Sequence, residues 1–227
     1  MMEITAGKMA GCIDHTLLKA TATSDDIKRL CDEAVRYGFA CVSIQNRWIK
    51  LAAELLSGSK VKVGGVVSLP LGGDSTEIKV ASAMQAIADG ADEVDMVADL
   101  AAIIEGDEKY LSKELMGMRQ VCKDITLKVI IEAAALTNEQ KIFACRIADR
   151  CGVDFVKTST GMNSAGGATV EDVKLMKQYA PNCKVKAAGG IRTASQAIEL
   201  IEAGAERIGT SSSVKIIEQI KLATEKE

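Results

Sequence analysis

The chain has 227 residues, 48% of them hydrophobic, and a net charge of −3. This length suffices for one large α/β domain, and no linker-like run interrupts the pattern, so we expect a single domain over residues 1–227. The weakly acidic balance gives no electrostatic case for binding nucleic acid or an anionic membrane, and no stretch is long and apolar enough to span a bilayer.

The cysteines and the start of the chain indicate the compartment. The seven cysteines are an odd number without a C-x-x-C pair, which favours buried thiols in a reducing compartment over a disulfide framework. Residues 1–9 lack the apolar core of a secretory signal, so we expect a cytoplasmic protein. His15, the single histidine, and the scattered thiols offer no ligand cluster at zinc-binding spacings, so we expect no metal site.

A unit recurs along the chain: an amphipathic helix, a glycine, and a short β-rich run. Four glycines suit the left-handed position that ends a helix: Gly38, Gly90, Gly152 and Gly204. Three helix starts match or approximate a capping box: Thr137 with Gln140, Thr193 with Gln196, and Thr169 with Asp172.

The β-rich runs predict about eight strands in chain order. They lie near residues 12–14, 40–42, 60–67, 93–96, 126–131, 153–157, 184–188 and 207–209. Repeated βα units with short connections indicate a parallel sheet covered by helices, and eight strands close a TIM barrel. An open doubly wound sheet is the competing architecture, although no G-x-G-x-x-G follows any strand.

Two lysines occupy unusual positions in these strands. Lys157 ends an apolar run, and Lys186 lies in the next strand. If both strands belong to one barrel, their alternation can point both amines into the same interior. A lysine in a dry site beside another cation loses proton affinity, so a free amine can attack a carbonyl near neutral pH. Covalent imine catalysis is therefore the leading hypothesis; the alternative is that both amines lie in solvent at strand ends.

The same alternation places more charged side chains in the interior, namely Asp95, Lys128 and Glu132. Buried charges must pair, because unpaired ones are too costly. Lys128 and Glu132 share a strand, and we interpret them as a structural ion pair. Asp95 and the two lysines lie near the carboxyl ends of strands, where barrel enzymes carry their chemistry.

Two turns predict a phosphate site. Gly189 and Gly190 follow one strand, and Ser211 and Ser212 follow the last one. Glycines allow close backbone approach, while hydroxyls and amides at a helix start can hold a phosphate. Loops after the seventh and eighth strands are a common phosphate site of this fold.

These motifs resemble one family, the deoxyribose-phosphate aldolases, which are class I aldolases on a TIM barrel. The matching segments run in order over residues 14–212, and the most specific are V-K-T-S-T-G at 156–161 and K-A-A-G-G-I-R at 186–192. By this resemblance, Lys157 is the Schiff-base lysine, Lys186 lowers its pKa, and Asp95 is the proton-relay acid.

The resemblance also implies the reaction and its ligands. The enzyme would cleave 2-deoxy-D-ribose 5-phosphate reversibly to acetaldehyde and D-glyceraldehyde 3-phosphate, without metal or organic cofactor, because the iminium is itself the electron sink. Its partners would be this small-molecule sugar phosphate and aldehyde, with no nucleic acid or membrane, and the chain could form a homodimer. The substrate and phosphate-binding residues would be Gly189, Gly190, Ser211, Ser212, Thr160 and Gly161.

The chain departs from the family around the predicted mouth. Where the family usually reads C-V-N-P, this chain has Cys41-Val42-Ser43-Ile44-Gln45, and where the family usually reads G-F-P, it has Ser68-Leu69-Pro70. Three single residues also differ: Asp99 replaces a common asparagine, Ala133 a common threonine and Ser213 a common glycine. These changes leave open a Schiff-base aldolase for a different sugar phosphate or donor aldehyde. A barrel that binds a phosphorylated metabolite without turnover is a further alternative. We expect Cys41 to be a buried small hydrophobe rather than a pocket residue.

Overall fold

The computed structural model describes residues 4–224, in which eight parallel strands close a barrel in sequential order. The strands are β1 (Ile13–Leu17), β2 (Cys41–Ile44), β3 (Lys62–Val67), β4 (Glu93–Val97), β5 (Thr126–Ile130), β6 (Phe155–Lys157), β7 (Lys184–Ala188) and β8 (Arg207–Thr210). The predicted TIM barrel is confirmed, and the open doubly wound sheet is wrong, because β1 pairs with β8.

Helices cover the outside of the barrel. They are α1 (Ala6–Ala10), α2 (Ser24–Tyr37), α3 (Ile49–Leu55), α4 (Thr76–Ala88), α5 (Leu100–Glu105), α6 (Glu108–Val121), α7 (Asn138–Arg150), α8 (Val170–Tyr179), α9 (Ala194–Glu202) and α10 (Ser213–Thr224). Short 3₁₀ turns lie at Asn46–Trp48 and Ala133–Ala135. From residue 4 to residue 224, no helix has both the length and the hydropathy needed to cross a membrane.

The helix ends follow the predicted signals closely. Thr137 and Gln140 form the predicted capping box at the start of α7. Thr193 caps α9, but the Gln196 side chain accepts from the amide of Arg192 rather than completing the box. Each of the four predicted glycines has a positive φ angle. A further capping box, formed by Thr23 and Asp26 at the start of α2, had not been predicted.

Strand alternation divides the core into two layers. Side chains such as Val94, Met96, Val129 and Val156 pack with helix residues in one hydrophobic core. The opposite faces of the same strands point into the barrel, where several charged side chains are buried. The seven cysteines are free thiols. The prediction of one domain over residues 1–227 stays a prediction, and residues 1–3 and 225–227 lie outside the described residues.

Candidate active site

Lys157 ends β6 and points into the barrel, where its side chain is only 4% exposed and its Nζ lies 2.7 Å from Asp95 Oδ2. The pKa of Lys157 is lowered to about 8: burial is the largest cause, Asp95 opposes the shift, and the charges of Lys186 and Lys128 add to it. The alternative with both amines in solvent is wrong, since the Lys186 side chain is 1% exposed. Lys157 is thus a buried amine that can be neutral near physiological pH.

Asp95 lies at the centre of the interior charges. Its Oδ2 is 2.7 Å from Lys157 Nζ and 2.6 Å from Lys186 Nζ, and its Oδ1 is 2.8 Å from Lys128 Nζ. Burial alone would raise the pKa of Asp95, but the three ammonium groups hold it well below its usual range. Asp95 and Lys186 each lie two residues before the carboxyl end of their strand, whereas Lys157 is the last residue of β6.

Three further residues complete a network that sequence reasoning missed. Asp14 on β1 contacts Lys186, and its carboxylate lies 2.5 Å from Arg207. Glu93 lies 2.6 Å from Lys128 Nζ and 3.1 Å from Arg207. We call this group the interior network; its members are Asp14, Glu93, Asp95, Lys128, Lys157, Lys186 and Arg207.

The predicted ion pair between Lys128 and Glu132 is wrong. Lys128 pairs with carboxylates on β1 and β4 instead. Strand β5 ends at Ile130, and Glu132 adopts a left-handed conformation with a φ angle of 51°. Its carboxylate accepts hydrogen bonds from the amide and hydroxyl of Thr160. The alternation rule fails here because Glu132 lies beyond the strand.

One group of side chains resembles a metal site in composition but not in charge. The ligand atoms of Asp14, Cys41 and Glu93 lie within 4.8 Å of one another. The ammonium of Lys128 and the guanidinium of Arg207 already neutralise the two carboxylates. Burial and the nearby Glu93 raise the pKa of the Cys41 thiol well above its usual value, so it stays protonated. This donor set does not suit a cation, and Cys41 is a buried residue that does not line the pocket described next.

A cavity of about 320 Å³ opens above Lys157 at the carboxyl ends of the strands. Its lining has three cationic side chains, Lys19, Lys157 and Arg192, and no carboxylate. We call this cavity the pocket. It contains five of the six residues predicted to bind the substrate or its phosphate: Thr160, Gly161, Gly189, Gly190 and Ser211.

The hydrogen-bonding groups around the pocket differ in availability. Within the described part of the chain, the amides of Gly190 and Ser211 have no hydrogen-bond acceptor. The amide of Ser212 donates to Thr210 Oγ1, and Ser212 does not line the pocket. Both the amide and the hydroxyl of Thr160 donate to Glu132, so its role is to shape the loop that carries Gly161. The Gly190 and Ser211 amides are therefore the backbone donors that are available to bind an anion.

The departures from the family motifs have local structural explanations. Ser213 is buried at the start of α10, where its hydroxyl donates to Thr210 O and lies 2.9 Å from His15 Nδ1. Asp99 caps α5 by accepting from the amide of Ala102, as an asparagine would. Ser68 has a φ angle of 56° and donates to Asp74. These contacts shape the loops and leave the interior network untouched.

A second cavity of about 980 Å³ adjoins the pocket. The two cavities share Leu18, Lys19 and Met162 in their linings. The second cavity is lined by Gln45, Ser68 and Leu69, among others, which are positions where the chain departs from the family motifs. Space beyond the pocket is therefore available for a substrate larger than a pentose phosphate.

Comparison with known proteins gives consistent matches over nearly the whole chain. Residues 8–218 match a family described as DeoC/LacD family aldolase. The deoxyribose-phosphate aldolase of Thermococcus gammatolerans is 52% identical over 215 residues, which cover 92% of this chain and 95% of the relative. The protein of the same name from Brevibacillus brevis is 50% identical over 206 residues, which cover 90% and 93%.

The fold is shared with solved structures as well. A tetrameric structure of deoxyribose phosphate aldolase from Aeropyrum pernix matches with a TM-score of 0.89 at 32% identity. The match covers 96% of this chain and 92% of that one. The interior network and the pocket lie within residues 8–218, the range that matches the family.

Proposed function

The chain belongs to the DeoC/LacD family of aldolases, and from this premise we propose that it cleaves 2-deoxy-D-ribose 5-phosphate reversibly to acetaldehyde and D-glyceraldehyde 3-phosphate. The protein is an aldolase and therefore a lyase. The observation that carries the proposed mechanism is the buried Lys157, whose pKa is about 8, directly beneath a cationic pocket.

Lys157 is the proposed nucleophile. Its neutral amine adds to the C1 aldehyde of the sugar and loses water to give an iminium ion. The iminium withdraws electrons from the C2–C3 bond, which breaks as the C3 hydroxyl loses its proton. The product aldehyde leaves, and an enamine remains on Lys157.

Asp95 is the proposed proton relay, acting through an ordered water. It accepts the C3 hydroxyl proton as the bond breaks. It then passes the proton on to the enamine carbon. Hydrolysis of the resulting iminium then releases acetaldehyde and restores the amine. Lys186 acts by its charge, which disfavours a second ammonium at Lys157.

The phosphate of the substrate is proposed to bind at the turn residues of the pocket. Gly190 and Ser211, whose amides have no hydrogen-bond acceptor among the described residues, line this end of the pocket together with Gly161 and Gly189. Lys19 and Arg192 add positive charge to the lining. Backbone amides near a helix start together with cations suit a dianion. Binding there would orient C1 of the sugar towards Lys157.

The adjoining cavity supports a second candidate, a Schiff-base aldolase for a different sugar phosphate or donor aldehyde. The reaction type would be the same, and only the substrate would differ. Values of kcat/KM for 2-deoxyribose 5-phosphate and for longer sugar phosphates separate the two candidates. A preference for a longer substrate would favour the second.

The test of the mechanism is reductive trapping. Acetaldehyde with borohydride should add one ethyl group to the protein, located on Lys157 by peptide mass analysis and missing in Lys157→Ala. Turnover in Lys157→Ala should fall by about 10³-fold or more, the scale seen when a nucleophile is removed. Modification of surface lysines alone would contradict the mechanism and favour a barrel that binds phosphorylated metabolites without turnover.

Assembly and location are also proposed. We propose a homo-oligomer, with a dimer as the smallest unit; the tetramer described for the Aeropyrum pernix relative supports self-association. A cytoplasmic location is supported by the seven free thiols. Light scattering on the purified protein measures the oligomeric state. Fractionation of the native cells measures the cellular location.

A further inference from the structure

The interior network has unequal numbers of opposite charges. Within residues 4–224, four cationic side chains meet three carboxylates inside the barrel. The cations are Lys128, Lys157, Lys186 and Arg207, and the carboxylates are Asp14, Glu93 and Asp95. If every group were ionised, this set, which is buried apart from the 14% exposure of the Arg207 side chain, would carry one uncompensated positive charge, and that is costly in a largely buried interior. One cation is therefore under pressure to lose its proton.

The contacts identify which cation this is. Lys128 contacts three carboxylates, and Lys186 contacts two. Arg207 also contacts two, Asp14 and Glu93, and a guanidinium stays protonated in proteins. Lys157 contacts only Asp95, whose carboxylate it shares with two other ammonium groups. Lys157 is the least compensated of the four.

Other titratable groups around Lys157 leave this balance unchanged. The Cys41 thiol on β2 stays protonated, because burial raises its pKa well above the usual value. Glu132, beyond β5, is a buried carboxylate held by hydrogen bonds from Thr160, and among the described residues it contacts none of the four cations of the interior network. Lys19 and Arg192 line the pocket on the solvent side and add positive charge there. The charged residue of β3, Lys62, pairs with Asp92 outside the barrel.

Arg207 has no contact with the pocket. It begins β8, at the end of the barrel opposite Lys157, and its guanidinium lies 5.6 Å from the centre of the Phe155 ring at the start of β6. It acts on Lys157 only through the carboxylates. Because Arg207 pairs with Asp14 and Glu93, these two carboxylates neutralise Lys128 and Lys186 only in part. The two lysines therefore also remain paired with Asp95.

We propose that Arg207 is a positioning residue for the aldolase reaction: with it, the interior network holds one more cation than carboxylates, so that Lys157 is the group that gives up its proton. This proposal rests on the proposed Schiff-base function of Lys157. It assigns to Arg207 and Glu93, neither of which lines the pocket, a quantitative effect on the nucleophile.

The test uses charge-changing variants of similar volume. The variants are Arg207→Met, Glu93→Gln and the double variant with both changes. The rate of acetaldehyde trapping on Lys157 by cyanoborohydride is measured by peptide mass analysis over about pH 6 to 10, and the midpoint of its rise gives the apparent pKa of the amine.

The three variants have different expected signs. Arg207→Met leaves three cations and three carboxylates, which favours the ammonium, so the midpoint should rise by about one pH unit. Glu93→Gln leaves four cations and two carboxylates, so the midpoint should fall by a similar amount. A shift of about one pH unit corresponds to a change of about tenfold in the protonation equilibrium of Lys157. The double variant restores an excess of one cation, so its midpoint should return to the wild-type value.

The controls separate charge balance from general damage. Lys177→Met also removes a cation, but from an exposed pair with Glu206, and should leave the midpoint unchanged. Should Arg207→Met fail to fold by circular dichroism, the double variant and Glu93→Gln decide the question. Trapping on Lys157 with one common midpoint in every folded variant overturns the role of Arg207 and leaves the proposed function intact. Absence of trapping on Lys157 in the wild type overturns the proposed function instead.

Discussion

Lys79 and Lys157 are both buried lysines, but their surroundings differ. Lys79 lies between α4 and α6, where its Nζ is 2.5 Å from Glu114 Oε1 and 3.0 Å from Val97 O. One ammonium there meets one carboxylate, and both side chains are fully buried. Among the described residues, Lys157 instead contacts a single carboxylate, which it shares with two other ammonium groups, and it opens onto a cavity.

The comparison shows that burial alone does not make a lysine a nucleophile. A compensated ammonium, as at Lys79, remains a structural group that holds two helices and the end of β4 together. An under-compensated one loses its proton more readily, and access to substrate makes the free amine useful. Both charge balance and access are therefore needed, and each can be changed separately.

The largest expected effect is on stability, at the compensated lysine. Lys79→Met leaves Glu114 buried without its cation and should lower the free energy of unfolding by about 3–5 kcal/mol. Urea denaturation measures this loss. The trapping midpoint of Lys157 should stay at its wild-type value, because Lys79 lies outside the interior network.

A double variant is the matched control for that change. Lys79→Met with Glu114→Gln removes both charges. The amide of Asp99 donates to Glu114 Oε2 at 3.1 Å, and the glutamine keeps a side-chain oxygen that can accept this hydrogen bond. The double variant should recover much of the lost stability. If the single variant were as stable as the wild type, the ion pair would not be the structural element described here.

A smaller effect is expected at the shared carboxylate. Asp95→Asn should slow carbon–carbon cleavage by about 10²-fold, because the proton relay is lost. Imine formation on Lys157 should survive, since removing a negative charge makes the ammonium less favourable and the free amine more abundant. Steady-state cleavage and trapping are measured on the same protein. Normal cleavage in this variant would contradict the relay.

The smallest of the three effects concerns Lys186. The pKa of Lys157 is lowered to about 8 mainly by burial, and Lys186→Leu removes one of the two cations that add to this lowering. Without it the ammonium is less disfavoured, so the pKa should rise and the midpoint of imine formation should move up by about one pH unit. Below the new midpoint less free amine is available, so turnover near neutral pH should fall. An identical pH profile in wild type and variant would remove Lys186 from this role.

The sequence predicted the barrel and the positions of Lys157, Lys186 and Asp95 in its interior, because period-two alternation holds within strands. It missed Asp14, Glu93 and Arg207 as network members, although all three lie at strand positions of the correct parity. Their partners are on other strands, and partner choice depends on the stagger of the closed barrel rather than on local pattern. Glu132 was placed wrongly for the opposite reason, since alternation was extended past the last strand residue.

The long sequence separations within the interior network also bear on folding. Asp14 is 193 residues from Arg207 and 114 residues from Lys128 along the chain, and β1 pairs with β8. Such distant contacts form late, because their loop-closure entropy must be overcome first. During synthesis, Asp14 stays without its guanidinium partner until the last strand has emerged. The lowered pKa of Lys157 thus depends on a network that is complete only in the closed barrel.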